Sequence, residues 1–259
     1  MRGALNTPEA FAVLGRWYRT PLGRRVAEAE AACLARLLED SFGYYLLQLG
    51  PAEPFATALA VSRIRQRVLL APVLPFAGPP PPRTVRLLGQ PECLPFAADS
   101  LDAAVIPHLL EFVAEPRAIL CEVARTLIPE GRLFVLGFNP LSAWGAARLW
   151  PRRRDVLWHG AALTPTRLRD DLKTLGLQVE IREMLMFRPP FRGAFGARFD
   201  WLDTLGQRYW PALGGIYLLR AVKRVAAPLA PRLAQKARRA PLPSGRALKP
   251  TARAGGLRG

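Results

Sequence analysis

Residues 94–111 read LPFAADSLDAAVIPHLLE and predict a turn followed by a buried strand. Asp99 and Ser100 predict the turn, because short polar side chains hydrogen-bond readily to the nearby backbone. The apolar run that follows Asp102 is typical of a strand whose two faces are both covered. This stretch therefore predicts a strand in the middle of a sheet.

Residues 115–133, EPRAILCEVARTLIPEGRL, continue with a helix and the start of the next strand. Apolar residues recur at helical spacing over 115–127. Pro129 and Gly131 would end that helix and turn the chain into a strand over 132–138. A strand, a helix and another strand in this order are typical of a parallel sheet.

The rest of the chain extends this alternation in both directions. Helical patterns cover residues 8–40, with a break at 21–23, and residues 164–175. Short apolar runs predict further strands at 44–49, 68–71, 85–88, 177–183 and 216–222. The alternation predicts an α/β fold, a mainly parallel sheet with helices on both faces.

The chain divides into three parts by composition. We expect an N-terminal helical cap over 1–40 and a sheet domain over 41–225. An aromatic-rich insertion, 185–215, precedes the last strand of that domain. A basic, Pro-rich tail, 226–259, is expected to be disordered.

Composition excludes several classes of protein. The chain has 259 residues, half of them hydrophobic, and no apolar stretch of membrane-spanning length. Its first residues lack the apolar core of a secretory signal, so we expect a cytoplasmic protein. Cysteine occurs three times, widely spaced at Cys33, Cys93 and Cys121, which argues against a disulfide framework and a zinc site. We therefore expect reduced, mostly buried thiols and no bound metal.

The stretch from 94 to 133 resembles the type 11 family of class I methyltransferases in both its strand and its helix. It is similar to the family's LPF-x-x-x-S-F-D and E-x-x-R-x-L-x-P-G-G patterns and keeps the family's spacing. GFNPLS, 137–142, and WY with TPLG, 17–23, are similar to a bacterial subgroup. The resemblance implies a Rossmann-like sheet with an antiparallel last strand, and S-adenosylmethionine as the cofactor.

The resemblance also implies where this cofactor would bind. Ligands of such sheets lie at the carboxyl ends of the strands, near the point where the strand order reverses. The matching positions follow the first, third and fourth strands and are Gln48, Gly50, Pro51, Ala52, Gln90, Glu92, Cys93 and Pro107.

The glycine-rich turn of this site is degenerate. The family has Asp at position 48 and Gly at 50, 52 and 54, of which Gly50 alone remains. No acid lies between Val68 and Gly78 to bind the ribose, and Gln90 replaces another expected Asp. Two interpretations stay open: weak binding of the cofactor, or a closed pocket on a retained scaffold.

His108 and Glu111 are the candidate catalytic residues. His108 ends the fourth strand, where it would act as a base or orient the acceptor, or serve only as a structural residue. Glu111 lies one helical turn further, where it would orient His108 or cap a helix. Asn139 follows the fifth strand and would reach the cleft or form a turn before Pro140.

The insertion and the tail are the candidate contact surfaces. The insertion carries seven aromatic residues and would form a lid over the acceptor, lie on a membrane or pack as a satellite core: Phe187, Phe191, Phe195, Phe199, Trp201, Tyr209 and Trp210. Residues 220–259 contain eleven Lys or Arg residues and no acid. They therefore account for +11 of the net charge of +17. This tail would attract nucleic acid or the inner face of an anionic membrane without sequence specificity.

These features predict an S-adenosylmethionine-dependent methyltransferase, whose acceptor is a small molecule or another, unidentified compound. The alternative is a catalytically inactive, methyltransferase-like binding module that docks through its basic tail. Affinity for the cofactor would separate the two.

Overall fold

A computed structural model describes residues 6–51, 53–73, 80–147, 160–190 and 201–224. The chain divides into two compact units, Met1–Val225 and Ala226–Gly259, and the described residues all belong to the first. The basic tail, Ala52 and three of the four insertion phenylalanines lie outside the described ranges. The division into cap, domain and tail stays a prediction.

The described residues form a seven-stranded sheet in the order β3-β2-β1-β4-β5-β7-β6. All neighbours are parallel except those of β7, which is antiparallel to both β5 and β6. The predicted fold class is therefore confirmed, with strands β1 Phe42–Leu49, β2 Arg63–Ala71, β3 Thr84–Leu88, β4 Leu101–Pro107, β5 Leu127–Phe138, β6 Leu177–Leu185 and β7 Ile216–Lys223.

Two helices precede the sheet, and each begins at a side-chain cap. Asn6 and Glu9 form a capping box at the start of the first helix, and Thr20 accepts a hydrogen bond from the Gly23 N–H at the second. Pro21 begins the second helix instead of breaking a helix, since its missing N–H is not needed there. The helices are α1 Thr7–Tyr18, α2 Pro21–Leu38, α3 Ala56–Val61, α4 Pro116–Thr126, α5 Ala143–Ala147, α6 Pro165–Thr174 and α7 Trp201–Tyr209, with a 3-10 turn at Glu53–Phe55.

The helices cover both faces of the sheet and enclose two buried apolar clusters. One cluster joins α1, α4 and α6 to the sheet, and the other joins α2 and α3 to it. None of the helices in the described ranges is long and apolar enough to cross a membrane.

The junction of α4 and β5 differs from the prediction. The helix ends at Thr126 and the strand begins at the next residue, so Pro129 and Gly131 lie inside β5. They interrupt its pairing with β4, whose register shifts between Leu101 and Ala103. The cysteines also differ, since Cys33 is buried but Cys93 and Cys121 are exposed.

Polar contacts fix the loop before β4 to α4. The Glu122 carboxylate accepts a hydrogen bond from the Leu94 N–H at 2.9 Å. Arg125 pairs with Glu122 and donates to the carbonyls of Leu94 and Phe96. The E-x-x-R part of the sequence pattern therefore holds the loop before β4.

Candidate active site

The turn after β1 brings four predicted residues together. Gly50 has a φ of +133°, and a Cβ there would lie 3.1 Å from the Pro107 carbonyl oxygen at the end of β4. This crossing requires glycine on steric grounds. The buried Gln48 donates from Nε2 to the Pro51 carbonyl at 2.6 Å, while its Oε1 has no hydrogen-bond partner. An unpaired buried oxygen is costly, so this amide is a candidate ligand contact.

The predicted residues after β3 form a separate group. β3 lies two strands from β1, about 10 Å across the sheet at the usual strand spacing. The Cys93 N–H donates to the Gln90 carbonyl at 3.1 Å, and the Glu92 carboxylate accepts a hydrogen bond from the Thr7 hydroxyl at 2.5 Å. Glu92 is thus engaged by the start of α1, whereas Gln90 is exposed.

Helix α1 lies over the carboxyl ends of the strands. Its residues Ala10, Phe11 and Leu14 are buried in one cluster with Leu49 and Ala71, which end β1 and β2. The N-terminal helices therefore form one wall of the candidate site.

A cavity of about 750 Å³ opens beside the β1 turn, between α1, α2 and α3. A volume of this size is typical of sites for small organic ligands. Much of its wall is small and apolar, and it also contains the charged residues Arg19, Arg24 and Glu28. This cavity was not predicted from the sequence, although Ala27, Ala31 and Ala35 recur at one-turn spacing on α2. Such a stripe also occurs in ordinary helix packing, so it was not diagnostic.

His108 lies at the centre of a buried polar cluster. Its Nε2 is 2.5 Å from Glu30 Oε1, and its Nδ1 is 3.2 Å from Glu111 Oε2. The Tyr18 hydroxyl donates to the other Glu30 oxygen at 2.8 Å, and the Phe138 N–H donates to Glu111. His108 and Glu30 are fully buried. The cluster therefore ties α1 and α2 to the ends of β4 and β5.

Burial and the two carboxylates act oppositely on this histidine. Burial lowers the pKa of His108, but Glu30 and Glu111 outweigh that effect and raise it to about 9. The imidazole is therefore protonated at neutral pH. Burial raises the pKa of Glu111, against the effect of His108, and burial and Glu30 raise that of Tyr18.

This geometry bears on the predicted catalytic roles. Glu111 orients His108 and lies in a turn outside any helix, so it caps none. A base role for His108 would require a neutral, exposed imidazole, whereas here both nitrogens are engaged. Catalysis by His108 or Glu111 stays a prediction. Tyr18 and Glu30 were missed, because a carboxylate within an alanine-rich helix gives no local sign of a partner 78 residues away.

Asn139 and the insertion lie on the same edge of the sheet. The Asn139 amide is buried and donates to the carbonyls of Ala212 and Gly214. It also accepts from the Leu141 N–H, so it fixes the turn before Pro140 and the approach to β7. Within the described ranges, no group of three or more His, Cys, Asp or Glu side chains is arranged to hold a metal ion.

Comparison with known proteins assigns the family. A family described as "Methyltransferase domain" matches residues 72–135. The uncharacterized protein YafS of Escherichia coli (strain K12) is 30% identical over 177 residues, which cover 67% of this chain and 69% of YafS. The ubiquinone/menaquinone biosynthesis C-methyltransferase UbiE of Syntrophotalea carbinolica is 33% identical over 167 residues, 61% of this chain and 68% of UbiE.

Solved structures agree on the fold. A SAM-dependent methyltransferase of Thermotoga maritima superposes with a TM-score of 0.59 at 17% identity, covering 83% of this chain and all of that one. The sheet order, the carboxyl-edge site and these relatives define an α/β transferase scaffold. The chain belongs to the class I S-adenosylmethionine-dependent methyltransferase family. S-adenosylmethionine is the cofactor of that family, which confirms the cofactor predicted from the resemblance.

The residues present fit one end of this cofactor better than the other. The β1 turn offers the free Gln48 oxygen, and Gly50 and Pro51 line the adjoining cavity, which suits the methionyl part. At the ribose end, the sequence from Val68 to Gly78 holds no acid, and Glu92 is engaged by Thr7. Ala52 lies outside the described residues.

Proposed function

We propose that this chain is an S-adenosylmethionine-dependent methyltransferase that acts on an apolar acceptor. The observation that carries the proposal is the cavity of about 750 Å³ that reaches the β1 turn. When bound, the cofactor supplies an electrophilic methyl group on a sulfonium. Gln48, Gly50 and Pro51 would hold its methionyl part.

Electrostatics at the end of β4 would favour a cationic ligand. The buried cluster contains two carboxylates and one imidazolium, and its Tyr18 also lines the cavity. A surplus of carboxylates in a site of low dielectric stabilises a nearby positive charge. The same cluster holds α1 and α2 against the strand ends, which would keep water from the reacting groups.

The acceptor would occupy the part of the cavity that α2 and α3 enclose. Its wall there is built from small apolar residues, among them Ala31, Ala58 and Val61. Such a surface suits a ring or an alkyl chain and offers few hydrogen bonds. The name of the UbiE relative, a quinone-biosynthesis C-methyltransferase, supports an acceptor of this apolar kind.

Calorimetric titration with S-adenosylmethionine and S-adenosylhomocysteine tests the cofactor site. We expect micromolar binding that Gly50→Trp abolishes, because the new side chain would fill the turn. Gly15→Trp fills the α1 wall of the same cavity without backbone strain and serves where Gly50→Trp unfolds the protein. Ala97→Trp, on an exposed loop before β4, is the matched control and should bind normally.

Transfer is tested with cofactor labelled in its methyl group and a lipid extract as the source of acceptors. We expect label in the organic phase, and its loss with Ala31→Trp but not with Ala97→Trp. Tight cofactor binding without transfer to any extract would contradict the proposal of an apolar acceptor but would support the proposed cofactor site.

A second candidate function is a binding module without catalysis. The altered residues at 48, 52, 54 and 90 of the sequence favour it, as does the packing of α1 over the strand ends. Its contact with nucleic acid or an anionic membrane would run through the basic tail, 220–259. No cofactor binding up to millimolar concentration would sink the enzyme proposal and favour this one. Deletion of 225–259 should then release the protein from RNA or anionic vesicles.

A further inference from the structure

We propose that an exposed aromatic face at the carboxyl edge of the sheet docks on the surface of an anionic lipid bilayer. We define the aromatic face as Leu141, Trp201, Leu205, Tyr209, Trp210 and Leu213. These residues belong to the connections that follow β5 and β6. Because β1, β4, β5 and β6 are parallel, this face lies on the same edge as Gly50 and His108.

The face is apolar and open to solvent. Its six side chains are between 39 and 69% exposed. Trp201, Leu205 and Tyr209 recur every four residues along α7, so they form one stripe on the helix. Clustered large apolar side chains at a protein surface mark contact sites, whereas single ones need no explanation.

The opposite side of α7 is anchored to the sheet, so the helix presents this stripe in a fixed orientation. Asp203 accepts hydrogen bonds from the backbone N–H groups of Phe187 and Arg188 and pairs with the Arg188 guanidinium. Gly206 is buried against Phe187, where a Cβ would lie 2.6 Å from that side chain. Because Asp203 and Gly206 face the sheet, the stripe of large apolar side chains on α7 faces solvent.

The adjoining turns are fixed as well. The Asn139 amide holds the carbonyls of Ala212 and Gly214, and the Gly215 N–H donates to the Met186 carbonyl at 2.9 Å. Leu141 and Leu213 are thereby held at the same edge as α7.

The residue types match the interface of a membrane. Trp and Tyr concentrate where lipid headgroups meet acyl chains, because their rings are apolar and their tips are polar. The Arg208 guanidinium lies 5.8 Å from the Tyr209 ring centre, at the border of the face. In the sequence, the two connections, 139–163 and 186–215, contain eight arginines, three aspartates and neither lysine nor glutamate, and the described ranges include Arg188 and Arg208 of these. Aromatic side chains among arginines bind anionic lipid by apolar burial and by charge together.

Docking by this face does not require methyl transfer. If the chain methylates an apolar acceptor as proposed above, docking would also bring the site edge to the lipid that dissolves the acceptor. That last step rests on the proposed function, whereas vesicle binding can be measured without cofactor or acceptor.

The test is flotation of the full chain with vesicles of phosphatidylglycerol and phosphatidylcholine, compared with phosphatidylcholine alone. Trp201→Ser/Trp210→Ser removes two anchors of the face. Phe42→Ser/Tyr44→Ser is the matched control, since these aromatic residues are more exposed than the two tryptophans but lie at the amino end of β1. Arg65 lies over the Tyr44 ring, as Arg208 does at the face. Thermal melts of all variants show whether the fold is kept.

We expect the full chain to float with the anionic vesicles and the tryptophan variant to bind them about tenfold more weakly, with the control unchanged. Equal binding by the tryptophan variant would overturn the proposal and assign any vesicle contact to the basic tail. A halved mass of that variant by analytical ultracentrifugation would also overturn it, because the face would then join two copies of the chain.

Discussion

Two regions of the chain differ in how much of the family pattern they keep. Residues 94–140 keep the motif, and Glu122 and Arg125 hold their loop in place. The turns after β1, β2 and β3 depart from the pattern, and there the strand ends meet the apolar side of α1. Residues that specify a fold are thus separable from residues that bind its ligand. The strength of the motif at 94–140 says little about chemistry at residue 48 or 90.

The buried cluster ties α1 and α2 to the ends of β4 and β5, so disrupting it should have the largest effect. His108→Ala leaves Glu30 and Glu111 buried without their counter-charge. We expect a loss of about 3–5 kcal/mol in the free energy of unfolding, measured by urea denaturation. Arg36→Ala, which removes a surface pair with Glu183, is the control and should cost less than about 1 kcal/mol. A loss below that level in His108→Ala would show that the imidazole is not what stabilises the two buried carboxyl groups.

The same histidine predicts a pH dependence. Its pKa is raised from an ordinary 6.5 to about 9 in the folded protein, so folding favours the protonated form. Its stabilising contribution is complete below pH 6.5 and is lost as the pH rises through about 9. The loss is about 3 kcal/mol at 1.36 kcal/mol per pKa unit.

Thermal melts from pH 6 to pH 9.5 measure this loss. Tyr18 and Tyr217, which face the cluster, have pKa values raised well above 10 and stay neutral over that range. Glu30 and Glu111 are the other ionisable groups around the imidazole. The melting temperature of His108→Asn should change less with pH. An equal change in both proteins would assign the pH dependence to a group other than His108.

Restoring a carboxylate after β3 tests whether the altered turns weaken cofactor binding. Gln90 is exposed at the end of β3, so Gln90→Asp should leave the fold unchanged. A charge-assisted hydrogen bond to the cofactor should strengthen its binding about tenfold, or about 1.4 kcal/mol, measured by calorimetry. Gln178→Asp on β6 is the control, and a similar gain there would point to a general charge effect.

The smallest effect is expected for a substitution within residues 94–140, which keep the family motif. Glu122→Ala removes the acceptor of the Leu94 N–H and should cost about 1 kcal/mol in unfolding free energy. Cofactor affinity should not change, because the residue only holds the loop. A matching fall in affinity would show that the two regions are coupled, so fold-specifying and ligand-binding residues would not be separable.

Much of the fold was predictable because its signals are local. The strands were placed within a few residues, since apolar runs between turn residues report burial directly. The error at Pro129 and Gly131 arose because both residue types end helices, yet here they accommodate a shift in strand pairing. The cysteines were misjudged because thiol burial depends on which side of a helix faces the sheet, as with the exposed Cys121 on α4.

The candidate site was predictable only in part. Gly50 and Pro107 meet as the parallel topology requires, because the ends of neighbouring parallel strands share an edge. Thr7 and Glu92 are 85 positions apart in the chain, and neither local sequence predicts their hydrogen bond. Likewise, the insertion was expected to be a lid, a membrane contact or a satellite core. Trp201, Tyr209 and Trp210 prove exposed, which argues against a satellite core built from them.

By itself, the sequence determined the α/β class, the family and the loss of the glycine-rich pattern, because each depends on residues close together in the chain. Tertiary packing sets the contact of Glu30 with His108, the cover of α1 over the strand ends and the exposure of the aromatic face. Each of these depends on how distant elements pack, and packing sets burial and hence both pKa and accessible surface. Local periodicity contains no information on which distant group will fill a given space.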